Sequence, residues 1–206
     1  NCMLYLRLEL RHQCFNDLKS VDANWNFEEE DTETDSSIVK LCRNLSNIEY
    51  RVAPYLSPVK CSYLFSHLGW VVSNILIKSL TNISEINAFG ARKRESSIYQ
   101  FVRNLGNFAN IGPDIMELIY SRVRNYYGFF SEEDPHSAML LKIQNEGPME
   151  YANYTITEYE VLFNKTQDKA LTVTMEDLTQ AYNAHDHSLI DRRKADVMSR
   201  LPHGYF

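Results

Sequence analysis

The sequence predicts an all-α fold, stacked helical bundles forming part of a rod. Three observations support this. Nearly every apolar segment repeats at steps of three and four residues, the spacing that lines one face of an α-helix. Seven glycines and six prolines in 206 residues are few, which favours long helices over turn-rich strands. The stretch 60–83, KCSYLFSHLGWVVSNILIKSLTNI, places Cys61, Leu64, Phe65, Leu68, Val72, Ile75, Leu76, Leu80 and Ile83 at that spacing. Tyr63, Trp70, Val71 and Ile77 broaden its apolar face, so it reads as one central helix near 59–83, covered from several sides.

Taken in order, residues 1–21 alternate Leu4, Leu6, Leu8 and Leu10 with charge, in strand fashion. Leucine, arginine and glutamate are good helix formers and β-branched residues are scarce, so helix is the better reading. Residues 22–36 carry Glu28, Glu29, Glu30, Asp31, Glu33 and Asp35. Such a run repels itself and reads as a solvated loop, with Trp25 and Phe27 pinning one end. Helical spacing returns at Ile38, Leu41, Cys42, Leu45 and Ile48 and stops near Pro54, and Pro58 suits the first turn of the central helix. Gly90 suggests a kink or short break. Ile98 to Ile111 is a further helix, and Gly112-Pro113-Asp114 punctuates the chain before another, running from Ile115 to Phe130. Residues 131–135 read as a turn, 138–143 as a short helix and 147–154 as a loop. Thr157 and Glu160 fit a capping box with Ile156 and Val161 as its staple, and Thr174 with Asp177 repeats the device more loosely, between Val173 and Leu178. The expected division is a bundle over 1–111 built on the central helix and a continuing bundle over 112–206, ending in a helical hairpin near 157–201.

The charge of −6 argues against non-specific nucleic-acid binding, which needs a positive field. Cys2, Cys14, Cys42 and Cys61 show no CxxC spacing and read as small core residues of a reduced, cytosolic chain, with disulfides the alternative that their even number leaves open. The central stretch is interrupted by His67, Asn74 and Lys78 and falls short of the roughly 20 apolar residues that a bilayer requires. A start directly in structured-looking sequence suggests a fragment of something longer.

No P-loop, GxSxG, HExxH or GxGxxG occurs, and no catalytic, cofactor-binding or metal residue is assigned. His185 and His187, two apart on a helix, would point away from one another and suit a shared metal ion poorly. The sequons at Asn44, Asn82, Asn153 and Asn164 read as chance matches. Two basic runs, Arg92-Lys93-Arg94 and Arg192-Arg193-Lys194, are the candidate contacts for a partner's carboxylates or for anionic lipid, against the plainer reading of a solvated face.

Three stretches in order carry a resemblance: LRLELRHQCFNDL at 6–18, IVKLCRNLSNIEYRVAPYL at 38–56 and YLFSHLGWVVSNILI at 63–77. Together they resemble the C-terminal region of the exocyst component four family, subunits of a vesicle-tethering complex. The resemblance covers about the first 110 residues well and the remainder loosely. It implies a rod of stacked helical bundles and a non-catalytic scaffold that binds other exocyst subunits. It also implies a cytoplasmic, peripheral location at sites of exocytosis on the plasma membrane, with no small-molecule substrate or nucleic acid. The alternatives are a helical enzyme with a site of dispersed acids and histidines, or a peripheral binder of anionic lipid.

Overall fold

A computed structural model describes residues 2–18, 24–31, 33–109, 112–146, 154–166 and 173–184. It is all-α, built of helical bundles, and divides into two compact units, Asn1–Ser131 and Glu132–Phe206.

In the first unit the helices are α1 (Cys2–Leu18), α2 (Ser36–Val52), α3 (Pro58–Phe65), α4 (Leu68–Ser79), α5 (Ala88–Ala109) and α6 (Pro113–Gly128). Helix α1 packs on α2, α3 and α4, while α5 touches α2, α3, α4 and α6. The core is made by the residues that the spacing singles out. Leu41, Leu45, Leu64, Phe65, Leu68, Val72, Leu76, Ile98, Phe101 and Val123 are all buried. Proline and polar caps start the helices as expected. The Ser57 side chain accepts from the Lys60 backbone N–H with Pro58 in the first turn, and Pro113 opens α6.

The central stretch is two helices, not one. Ser66 is extended (ψ 143°) and His67 takes the left-handed conformation (φ 67°), so α3 ends and α4 begins afresh. A left-handed non-glycine residue costs on the order of 1–3 kcal/mol. Here it is held by the burial of Phe65 and Leu68 on either side. The apolar spacing runs through the break, so periodicity does not reveal it.

Gly90 does not interrupt α5. Its missing side chain makes room for the chain crossing above, since a Cβ there would lie 2.0 Å from the Trp25 carbonyl oxygen. Trp25, buried as expected of a pin, belongs to strand β1 (Asn24–Trp25). That strand pairs in parallel with β2 (Glu85–Ile86) through Asn24↔Glu85 and Trp25↔Ile86. The Asn87 amide secures the next turn of chain, donating to the Phe27 carbonyl at 2.7 Å.

The second unit contains α7 (Pro135–Glu146), α8 (Ile156–Lys165) and a helix α9 over 175–184. Helix α7 packs on α8 with Met139, Ile143 and Leu162 buried, and the His136 ring stacks on Phe163 at 3.7 Å. The N-cap of α8 is Thr155 rather than Thr157. Its hydroxyl accepts from the Glu158 N–H, and the Glu158 carboxylate accepts from the Thr155 N–H at 2.8 Å. The staple is therefore Tyr154 with Tyr159, whose buried rings meet edge to face at 5.5 Å. The Thr174–Asp177 box is present as read, with reciprocal bonds of 2.8 and 3.2 Å.

Candidate interaction surfaces

The basic run on α5 and the acidic stretch, 59 to 62 residues apart in the chain, face one another. The Arg92 guanidinium lies 3.9 Å from the Glu30 carboxylate, Lys93 pairs with Asp31, and Arg94 lies 3.4 Å from Asp35. The acidic stretch is thus more than a solvated loop. Asp35 caps α2, accepting from the Ser37 N–H at 2.8 Å, while its own N–H donates to the Ser97 hydroxyl at 3.0 Å. Asp31 is held below the ordinary carboxylate range chiefly by the hydrogen bond from Lys93, with help from the Glu33 N–H.

The three basic residues differ in what they offer a partner. Arg94 is buried, with 1% of its surface exposed, and its guanidinium stacks 3.9 Å from the Trp25 ring centre. It is a core residue, and its Nε and Nη2 have no hydrogen-bond partner among the described residues. Arg92 and Lys93 lie further out, the first about half exposed. Arg192, Arg193 and Lys194 lie outside the described residues, as do His185, Asp186 and His187.

A surface that the sequence reading missed lies on α1. Leu10, Cys14, Asp17 and Leu18 face inward, whereas Leu4, Leu8 and Phe15 are exposed by 47%, 53% and 52%. At 100° per residue these three fall within 40° of one another, so α1 carries a second apolar stripe beside the buried one. Two apolar stripes on one helix produce leucines at nearly every turn, which is what made residues 1–21 ambiguous between strand and helix.

Where α1 meets α2, Asp17 accepts from Gln13 at 2.9 Å, from Asn44 at 2.8 Å and pairs with Lys40 at 3.3 Å. Burial pushes its pKa up, but these bonds outweigh burial and hold it below 3.8. The Asn44 side-chain nitrogen, the atom a glycan would use, is engaged in this cluster. All four cysteines are free thiols, and burial pushes Cys14 up to about 12. Among the described residues no three His, Cys, Asp or Glu side chains stand where they could hold a metal ion, and no helix is long and apolar enough to cross a membrane.

Two open clefts lie among the described residues. One, of about 270 Å³, lies between α5 and α6 and is lined by Tyr99, Val102, Arg103, Met116, Glu117 and Tyr120. Tyr120 donates to Glu95 at 2.9 Å, and burial together with that carboxylate pushes its pKa up to about 12. A phenol this hard to ionise is a hydrogen-bond donor, not a base. Another, of about 390 Å³, lies in the second unit beside Leu140, Gln144 and Asp177.

No protein-family model matches the chain. It is similar to exocyst complex component 4 of Dictyostelium discoideum, with 34% identity over 142 residues, which is 68% of this chain and 12% of that protein. It is 25% identical over 163 residues to exocyst complex component SEC8 of Arabidopsis thaliana, covering 79% of this chain and 15% of the relative. To exocyst complex component 4 of Homo sapiens it is 32% identical over 110 residues, 52% of this chain and 11% of the relative. The chain thus spans about an eighth of the length of the curated relatives it matches. With 34% identity to the amoebal protein over 68% of this chain, and further exocyst components matching from a plant and an animal, the chain belongs to the exocyst complex component 4 family.

Proposed function

We propose that this chain is a non-catalytic scaffold segment of an exocyst subunit, acting in the tethering of secretory vesicles to the plasma membrane before fusion. It works from the cytoplasm, at sites of exocytosis, and its partners are other exocyst subunits. The observation that carries this reading is the exposed stripe Leu4, Leu8 and Phe15 on a helix whose inner face is already packed. Exposed apolar residues at helical spacing suit another protein's helix better than they suit water. Arg92 and Lys93 supply charge at a second contact, where association gains rate and specificity from electrostatic complementarity.

The chain, used as bait in cytosol, is expected to recover exocyst subunits identified by mass spectrometry. The triple change Leu4→Asp, Leu8→Asp and Phe15→Asp should abolish that recovery while leaving the melting temperature nearly unchanged, since the three side chains already meet solvent. A wild-type chain that is folded yet recovers no exocyst subunit overturns the scaffold reading, and so does turnover of a small-molecule substrate.

A further inference from the structure

Each ion pair between the acidic stretch and α5 has a different depth. Arg94–Asp35 is buried, Lys93–Asp31 is partly covered, and Arg92–Glu30 is 3.9 Å long with 48% and 58% of the two side chains exposed. The acidic residues are fastened at both sides, by Asn87 and the β1–β2 pairing before them and by the Asp35 cap after them. Between those fastenings Glu28, Glu29 and Glu30 are all exposed. Exposed pairs of this kind hold weakly. The surface beneath them has a fixed preference for anions. Arg92 and Lys93, in the second turn of a 22-residue helix, supply it.

We propose that residues 28–31 are an autoinhibitory contact. Glu30 and Asp31 occupy a carboxylate-binding face formed by Arg92 and Lys93, and they yield it to an acidic polypeptide segment of a partner. Arg94 takes no part in the exchange, because its pairing with Asp35 and Trp25 is interior. The chain's own segment shows the chemistry this face accepts, carboxylates presented on irregular backbone rather than on a helix or a flat surface. That favours an acidic peptide over a membrane. The inference rests on the reading of Arg92 and Lys93 as a partner contact and adds that the contact is masked until a competitor arrives.

The test uses the whole chain and a fluorescent eight-residue peptide of glutamate and aspartate at low salt. Changing Glu28, Glu29, Glu30 and Asp31 to Ser should tighten peptide binding about fivefold, as expected for a face that is free about a fifth of the time in the wild type. Adding Arg92→Glu and Lys93→Glu to that variant should remove the gain. Changing Glu132, Glu133, Glu160 and Glu176 to Ser alters net charge equally and should leave binding at the wild-type level. Equal tightening by both serine variants reduces the effect to net charge and overturns the proposal, as does no tightening by either. Binding of the first variant to phosphatidylserine vesicles without binding to the peptide also overturns it, in favour of a lipid surface. None of these results bears on recovery of exocyst subunits by the wild-type chain, so failure of the masking and failure of the scaffold reading are told apart.

Discussion

Replacing Gly90 by alanine sets two effects of opposite sign against each other, and the structure says which wins. In favour of alanine is helix propensity, about 1 kcal/mol in a helix interior and less near an end; Gly90 is the third residue of α5. Against it is the new Cβ, 2.0 Å from the Trp25 oxygen and 3.1 Å from the Trp25 carbonyl carbon. Ordinary contact begins at 3.4 Å, so the Trp25 backbone must retreat by 3.4 − 2.0 = 1.4 Å. No flexible side chain can yield instead. Gly69 and Gly106 differ in this respect, because their closest neighbours are the ends of the Ile119 and Met116 side chains. The retreat strains the Trp25↔Ile86 pairing and the Arg94 stack on the indole. Overpacking costs about 1–3 kcal/mol, and a desolvated cation–π contact about 2 kcal/mol.

The expected net result for Gly90→Ala is therefore a loss of about 1–3 kcal/mol. Urea unfolding followed by tryptophan fluorescence reports on it, since Trp25 and Trp70 both lie in the first unit. Gly128→Ala is the control. It sits at the end of α6 with nothing within 4 Å of its added Cβ, so it should be neutral or slightly stabilising. A Gly90→Ala chain that gains stability as the control does would refute the close approach of β1 to α5.

Leu68→Asp should unfold the first unit or cost several kcal/mol, because it places an unpaired carboxylate at a fully buried position at the start of α4; circular dichroism and melting check it. Thr155→Ala should destabilise the second unit by about 1 kcal/mol, the usual worth of an N-cap, whereas Thr157→Ala should do much less. Asp17 has a native pKa lowered below 3.8, so its contribution is fully present above the unfolded value and is lost as pH falls through the native one. Asp17→Asn should accordingly lower stability at pH 7 and flatten the acid limb of the stability profile below about pH 4, measured by urea titration at each pH.

Much of the fold was legible because helices reveal themselves locally. The three-to-four spacing of Ile38 to Ile48 and of Ile98 to Leu105, and the prolines at 58 and 113, each depend on neighbours within one or two turns. What was not legible has a common cause in distant or competing partners. The break at His67 leaves the apolar spacing intact on both sides. Thr155 and Thr157 each precede a glutamate by three residues, and only the burial of Tyr154 against Tyr159 settles between them. Gly90 looked like a weak point in a helix because nothing local announces a chain crossing 65 residues away in sequence. The acidic and basic runs each read as facing outward, and their pairing is a tertiary fact. On α1, spacing identifies apolar stripes but not which of them is covered, so the exposure of Leu4 and Leu8 could not be read from the sequence.

The Arg94–Asp35 pair invites the last prediction, since burial of a pair is no proof that it stabilises. The pair is long at 3.4 Å, and two of the guanidinium nitrogens are unsatisfied among the described residues. Desolvation of the arginine is thus poorly offset, and most of its worth should appear only when one partner is removed. Arg94→Met keeps the apolar length of the side chain and takes away the cation, leaving Asp35 with 8% exposure and no guanidinium beside it. Breaking a buried pair in this way costs about 3–5 kcal/mol. Asp35→Asn is the informative second change. Asparagine caps helices about as well as aspartate, so the bond from the Ser37 N–H survives while the charge goes. The double variant carries neither charge and retains the cap, the packing under Trp25 and the methionine chain. It should therefore recover most of what Arg94→Met loses, ending within about 1–2 kcal/mol of the wild type, the shortfall coming from the lost contact with the indole. Urea unfolding of the four chains measures the coupling directly. Equal losses in Arg94→Met and in the double variant would mean that the guanidinium works through Trp25 and not through Asp35.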